Sequence, residues 1–273
     1  MFLNFLDQSF AFQRSEEKVF IPFCKTTLMV SEELEVDRKL PILRKSRCST
    51  GIPNLDILLE GGYLRGALIS LVGPTGMEKN AFAFHFVDSS LKNGELVLYI
   101  TTDTNHEEIL KKADSLEFSF RNAFEKNELI FIDCYSSTLG ASLDNKESSK
   151  NIITVPGPSS LNDLSIAIRS VIEQNPNKPL RVVFHTLSSL VLYNPEDTVI
   201  KFIQFVGARL KQAGATTLLL VEEGMHNKQL LASLEHIMDE TYLIKDGDNL
   251  RIEGTNIPAE IPLKLGKAGI ELV

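Results

Sequence analysis

Tryptophan is absent from the 273 residues, and cysteine occurs only three times, at Cys24, Cys48 and Cys134. Three widely spaced cysteines form neither an even disulfide set nor a metal-ligand spacing, so a reducing, cytoplasmic location is expected. Positive charge is also short. Lys and Arg number 28 against 36 Asp and Glu, a formal net charge of -8. That balance argues against a surface dominated by contacts to nucleic-acid phosphates, although a local basic patch stays open. No apolar run reaches the roughly 20 residues needed to span a bilayer, so no membrane partner is expected. The first twelve residues lack a basic stretch and carry Asp7, which argues against a secretory leader.

What is present has the make-up of one large globular domain plus an extension, with 43% hydrophobic and 23% charged residues. Residues 1–47 differ in texture from the rest and are expected to form an N-terminal extension packed on or near a domain over 48–273. Phe2, Phe5, Phe10 and Phe12 are too apolar for a free tail, and Val19 to Phe23 reads as a short strand. The basic end, Arg38 to Arg47, is read as a solvated face, with an interaction arm as the alternative.

From residue 50 onward, apolar strands alternate with helical patterns. Strands are expected at Leu68–Val72, Glu95–Thr102, Leu129–Tyr135, Arg181–His185, Thr216–Glu222 and Ile237–Ile244. Helices are expected from Ala81, over Asn105–Ala113, from about Ser159 to Glu173, and over Glu196–Ala213. Ser136 to Lys150 reads as a polar, mobile loop. A terminal hairpin is expected to join Leu250–Ile252 to Ile270–Leu272. Nearly continuous apolar strands imply an α/β fold with a mostly parallel sheet, covered by helices on both faces.

The stretch Ser70 to Asn80 organises the chain. A phosphate-binding loop follows G-x-x-x-x-G-K-[ST] between a buried strand and a helix. Gly73 takes the first position and Lys79 the lysine position, with Pro74, Thr75, Gly76 and Met77 between. Glu78 replaces the second glycine, and Asn80 replaces the hydroxyl that would hold magnesium. A carboxylate at Glu78 would repel phosphate by roughly 4 kcal/mol at 4 Å and an effective dielectric near 20. Gly73 to Asn80 are therefore the candidate nucleotide-binding residues, with weak ATP binding as the only cofactor expectation and no Mg2+.

Ser-Thr-Gly-Ile-Pro-Asn-Leu-Asp (Ser49–Asp56), then Gly-Gly-Tyr-Leu-Arg-Gly (Gly61–Gly66), then the loop, resembles the RecA-like ATPases related to RadA and KaiC. Gly157 to Asp163 also resembles archaeal KaiC-like proteins. The likeness covers about Arg47 to Val273, and it implies a RecA-like P-loop NTPase fold with a C-terminal hairpin. Carried over by position, the paired catalytic glutamates fall on Asp103 and Thr104, and the Walker B aspartate falls on His185. The family's Lys-x-Arg finger has no counterpart between Arg251 and Leu265, so Lys245, Arg251 and Lys264 read as surface charges. Arg65 and Lys79 stay as candidate phosphate contacts. With the catalytic positions vestigial, the resemblance implies a noncatalytic pseudo-ATPase used as a regulatory or scaffolding subunit. Self-association, or association with a related RecA-fold protein, follows from the same resemblance. An ATP-binding sensor and a nucleic-acid-binding RecA paralogue are the alternatives. Acidity and missing tryptophan count against the last. Ser188, Ser189 and His185 form no recognisable triad, and Glu222, Glu223 and His226 read as strand-end polar residues.

Overall fold

The computed structural model describes residues 11–13, 18–20, 46–139, 151–254, 257 and 260–273. The chain falls into two compact units, Met1–Arg44 and Lys45–Val273. In the first, β1 (Ala11–Gln13) and β2 (Lys18–Phe20) pair antiparallel. Thus β2 takes the start of the strand expected near Val19, and Ile21 to Phe23 lie outside the described residues. The basic end before Ser46, and residues 140–150 of the expected mobile loop, lie outside them as well.

The second unit opens with β3 (Arg47–Cys48), α1 (Pro53–Leu58) and β4 (Tyr63–Leu64), which pairs with β3. Next come β5 (Leu68–Gly73), α2 (Met77–Lys92), β6 (Leu96–Thr101), α3 (His106–Ser115) and α4 (Arg121–Glu125). Then follow β7 (Leu129–Asp133), β8 (Ile152–Thr154), α5 (Leu161–Gln174), β9 (Leu180–His185), α6 (Leu187–Tyr193) and α7 (Glu196–Gln212). The chain ends with β10 (Thr216–Glu222), α8 (Lys228–Ile237), β11 (Glu240–Lys245), β12 (Asn249–Glu253), β13 (Ile261–Gly266) and β14 (Gly269–Leu272).

Ten strands form one sheet in the order β14-β13-β12-β11-β5-β10-β9-β6-β7-β8. From β11 to β8 every pairing is parallel; from β11 to β14 every pairing is antiparallel. Side chains alternate between two cores, as the period of a strand requires. On β6, Val97 and Tyr99 join the core under α2 and α3, while Leu96, Leu98 and Ile100 join the core under α5 and α7. Helices on both faces make the parallel strands apolar on both sides. Cys48 sits in the first core and Cys134 in the second, both as free thiols.

Several expectations change in detail. Residues 77–80 are the first turn of α2 rather than loop, because the helix starts at Met77. Ile237 closes α8 and the strand begins only at Glu240; Leu230 and Leu234, spaced i, i+4, give α8 its buried side. Directly after His185, α6 forms, with the Thr186 hydroxyl accepting from the Ser188 N–H at 3.4 Å. Leu250–Ile252 does not pair with Ile270–Leu272. β13, whose residues alternate between buried and exposed, lies between β12 and β14, so the terminal hairpin is β13–β14.

Candidate functional site at the carboxyl ends of the parallel strands

β5 lies between β10 and β11, whereas β6, the next long strand in the chain, lies beyond both β10 and β9. Such a change of direction opens a crevice at the carboxyl ends of parallel strands. Gly73 ends β5, Glu222 ends β10, His185 ends β9, and Asp103 follows β6 by two residues. The sheet thus gathers residues separated by up to about 150 positions in sequence into one place.

Gly73 is tightly placed, since a Cβ there would lie 2.9 Å from Ile244 Cβ. Gly76 is the N-cap of α2, with extended backbone. Glu78 lies in the first helical turn, where a carboxylate is favoured by the helix dipole. Its Oε2 sits over Gly76, in the space a Cβ on Gly76 would take. An anion of the chain itself therefore stands at the mouth of the loop.

Lys79 is 3% exposed. Its Nζ donates to the Gly73 carbonyl at 2.9 Å, to the Pro74 carbonyl, and to Glu222 Oε2 at 2.8 Å. An ammonium has three donors, and all three are engaged. The Thr75 hydroxyl donates to the same Glu222 oxygen at 3.1 Å. The Glu223 N–H donates to the Gly73 carbonyl at 2.8 Å, which ties the end of β10 to the loop.

The remaining substituted positions bind one another. Asn80 Nδ2 donates to the Gly76 carbonyl at 3.3 Å and reaches Met77 Sδ at 3.9 Å. Asn80 Oδ1 faces His185 Nε2 at 2.6 Å, and His185 Nδ1 faces Asp103 Oδ1 at 3.1 Å. His185 is buried, while the Asp103 side chain is 42% exposed. Magnesium seeks an octahedral set of oxygens. An imidazole and an amide already committed to each other do not fit it. Thr104 stands apart from this chain, with its hydroxyl 3.3 Å from Glu108 Oε2.

Behind Glu222 lies a second polar pair. Ser188 Oγ accepts from the Glu222 N–H at 2.9 Å and lies within hydrogen-bond distance of His226 Nε2, at 2.7 Å. Burial pushes the His226 imidazole below its ordinary value, outweighing Glu196 and Glu222. In the sequence Glu222 and His226 are strand-end polar residues with no motif around them. The available signal was position: Glu222 closes an apolar strand that ends beside the loop.

Arg65, a candidate phosphate contact in the sequence, lies away from the loop. It pairs with Glu95 at 2.7 Å, just before β6 begins and so at the opposite end of the sheet. Arg251 pairs with Glu253 at 3.0 Å, Lys245 lies 3.6 Å from Glu260, and Lys264 is exposed.

A family model described as the KaiC ATPase matches residues 48–246, most of the chain. The chain belongs to the KaiC ATPase family. Over 198 residues this KaiC-family chain is 25% identical to UPF0273 protein MK0039 of Methanopyrus kandleri, covering 71% of this chain and 74% of the relative. It is 22% identical over 247 residues to the circadian clock oscillator protein KaiC of Parasynechococcus marenigrum, covering 84% of this chain but 45% of that protein. The chain therefore spans under half of that clock protein. The crystal structure of the KaiC-like protein PH0186 from Pyrococcus horikoshii superposes with a TM-score of 0.64 at 19% identity. That match covers 84% of this chain and 99% of the other, and it shows the shared RecA-like fold. Among the described residues, no helix is long and apolar enough to cross a membrane.

Proposed function

We propose that this KaiC-family chain is a noncatalytic member that serves as a regulatory or scaffolding subunit. The observation that carries this reading is the Asn80–His185–Asp103 hydrogen-bonded chain. Phosphoryl transfer depends on metal, lysine and positioned carboxylates acting together. Losing one such stabilising group commonly costs on the order of a hundredfold or more in rate. Here the magnesium hydroxyl, the magnesium aspartate and a catalytic glutamate are all replaced, and Lys79 is turned onto Glu222.

The chain is assigned an extension over 1–47 and a RecA-like domain over 48–273, with a second copy or a related RecA-fold protein as its partner. ATP turnover with Mg2+ tests the catalytic half. No turnover above background is expected, with or without Lys79→Ala. Turnover comparable with ordinary P-loop ATPases, abolished by Lys79→Ala, would overturn the reading. Size-exclusion chromatography with light scattering tests the other half. Self-association, or a shift on adding a related RecA-fold protein, is expected, and a strict monomer that binds no relative would count against it.

A further inference from the structure

Lys79 and Glu222 together carry an inference about access to the loop. Lys79 Nζ has no hydrogen left to offer, because two loop carbonyls and Glu222 take all three. Glu222 Oε2 accepts from both Lys79 and Thr75, two loop donors that an entering phosphate oxygen would need. The Glu222 side chain is only 17% exposed and Lys79 only 4%, so water does little to weaken the pair. The backbone holds the carboxylate in place from behind: the Glu222 N–H is anchored on Ser188 Oγ, and the Glu223 N–H on the Gly73 carbonyl.

We propose that Glu222 is an internal competitor for phosphate, an autoinhibitory carboxylate that keeps the phosphate loop closed to polyphosphate ligands. The proposal rests on reading the loop as a phosphate site that does not hydrolyse. A polyphosphate enters only when the Glu222 carboxylate leaves Lys79 and Thr75. Glu78 adds a second negative charge over Gly76 but makes no hydrogen bond to the loop lysine, so it repels where Glu222 occupies. The two acids are therefore separable by experiment.

Inorganic pyrophosphate without metal is the probe, titrated calorimetrically into the full chain. The proteins are wild type, Glu222→Gln, Glu78→Gly, and Glu222→Gln combined with Lys79→Met. Expected is at least a tenfold tighter pyrophosphate affinity for Glu222→Gln than for wild type, lost again in the double variant. Affinity unchanged in Glu222→Gln overturns the proposal. So does a gain that survives Lys79→Met, or a gain seen only in Glu78→Gly. Glu222→Thr repeats the test should Glu222→Gln melt below the assay temperature. ATP turnover of the same wild-type preparation separates the two readings. Turnover there overturns the noncatalytic assignment and the closed loop together, because ATP would then reach the loop with Glu222 in place, whereas an unresponsive Glu222→Gln without turnover overturns the competitor alone.

Discussion

His185 holds two side chains at once, and its removal should be felt at both. His185→Ala would leave Asn80 Oδ1 and Asp103 without their partner, at an expected cost of about 1–3 kcal/mol, read as a lower urea midpoint. His185→Asp should be worse at pH 7, because two carboxylates would then share the site. The gap between the two variants should already narrow above about pH 4, because two carboxyls sharing a site hold a proton above the ordinary carboxyl range. Equal midpoints for both variants at pH 7 would remove the like-charge argument. The substitutions at Glu78, Asn80, Asp103 and His185 were legible in the sequence, because each falls at a known distance from a motif. What they bind was not, since Asn80 meets His185 only after the three parallel strands β5, β10 and β9 have aligned their ends.

At the scale of elements, α2 is the piece on which neighbouring segments close. Gly51 has φ +85°, and a Cβ there would overlap the His85 carbonyl in the middle of α2. Gly51→Ala should therefore cost about 2–4 kcal/mol, through both strain and displacement of the Ser49–Ile52 segment. From the other side, the Ile270 N–H of β14 donates to His85 Nε2 at 2.9 Å, which needs a neutral acceptor nitrogen. Burial holds His85 below its ordinary value of 6.5, against the opposing pull of Asp88. As pH falls, the unfolded chain takes the proton first. Stability is thus full above about pH 6.5 and is lost as pH falls below it. Urea midpoints at pH 8 and pH 5.5 should differ in wild type, and differ less in His85→Gln; an equal difference would exclude His85 as a source. His226, also held low, should account for part of what remains. The strands of this layer were readable because β5, β6, β7, β9 and β10 are each dominated by apolar residues that are buried on both faces. The α8 helix was not, because Ile237 and Met238 read as the start of β11 across Asp239 and Glu240, and the period of Leu230, Leu234 and Ile237 is short. The placement of β13 depended on pairings between β12, β13 and β14 that no local pattern specifies.

Across the whole molecule, the end of the sheet away from the loop is held by a buried ion pair. Arg181 Nε donates to Glu95 Oε2 at 2.5 Å, and another guanidinium nitrogen donates to the Ser49 carbonyl at 2.8 Å. Its guanidinium carbon lies 4.9 Å from the Phe86 ring centroid. Both side chains are almost fully buried, at 1% and 3% exposure. Arg181→Met would leave Glu95 with only the half-exposed Arg65, at an expected cost of about 3–5 kcal/mol by chemical denaturation. Adding Glu95→Met should recover much of that loss, because an apolar pair replaces a buried charge; a double variant no more stable than the single would contradict it. A charged residue opening a strand reads as an edge in sequence, and its partner lies 86 positions away. The two core cysteines extend this to motion. Burial raises the Cys48 thiol, and it pushes the Cys134 thiol up to about 12. Only a thiolate reacts readily with an alkylating reagent, so both are silent while the sheet stays covered. With Cys24 replaced by serine, they become two clocks inside one molecule. One times the lifting of the layer that contains α2, and the other the lifting of the layer that contains α5 and α7.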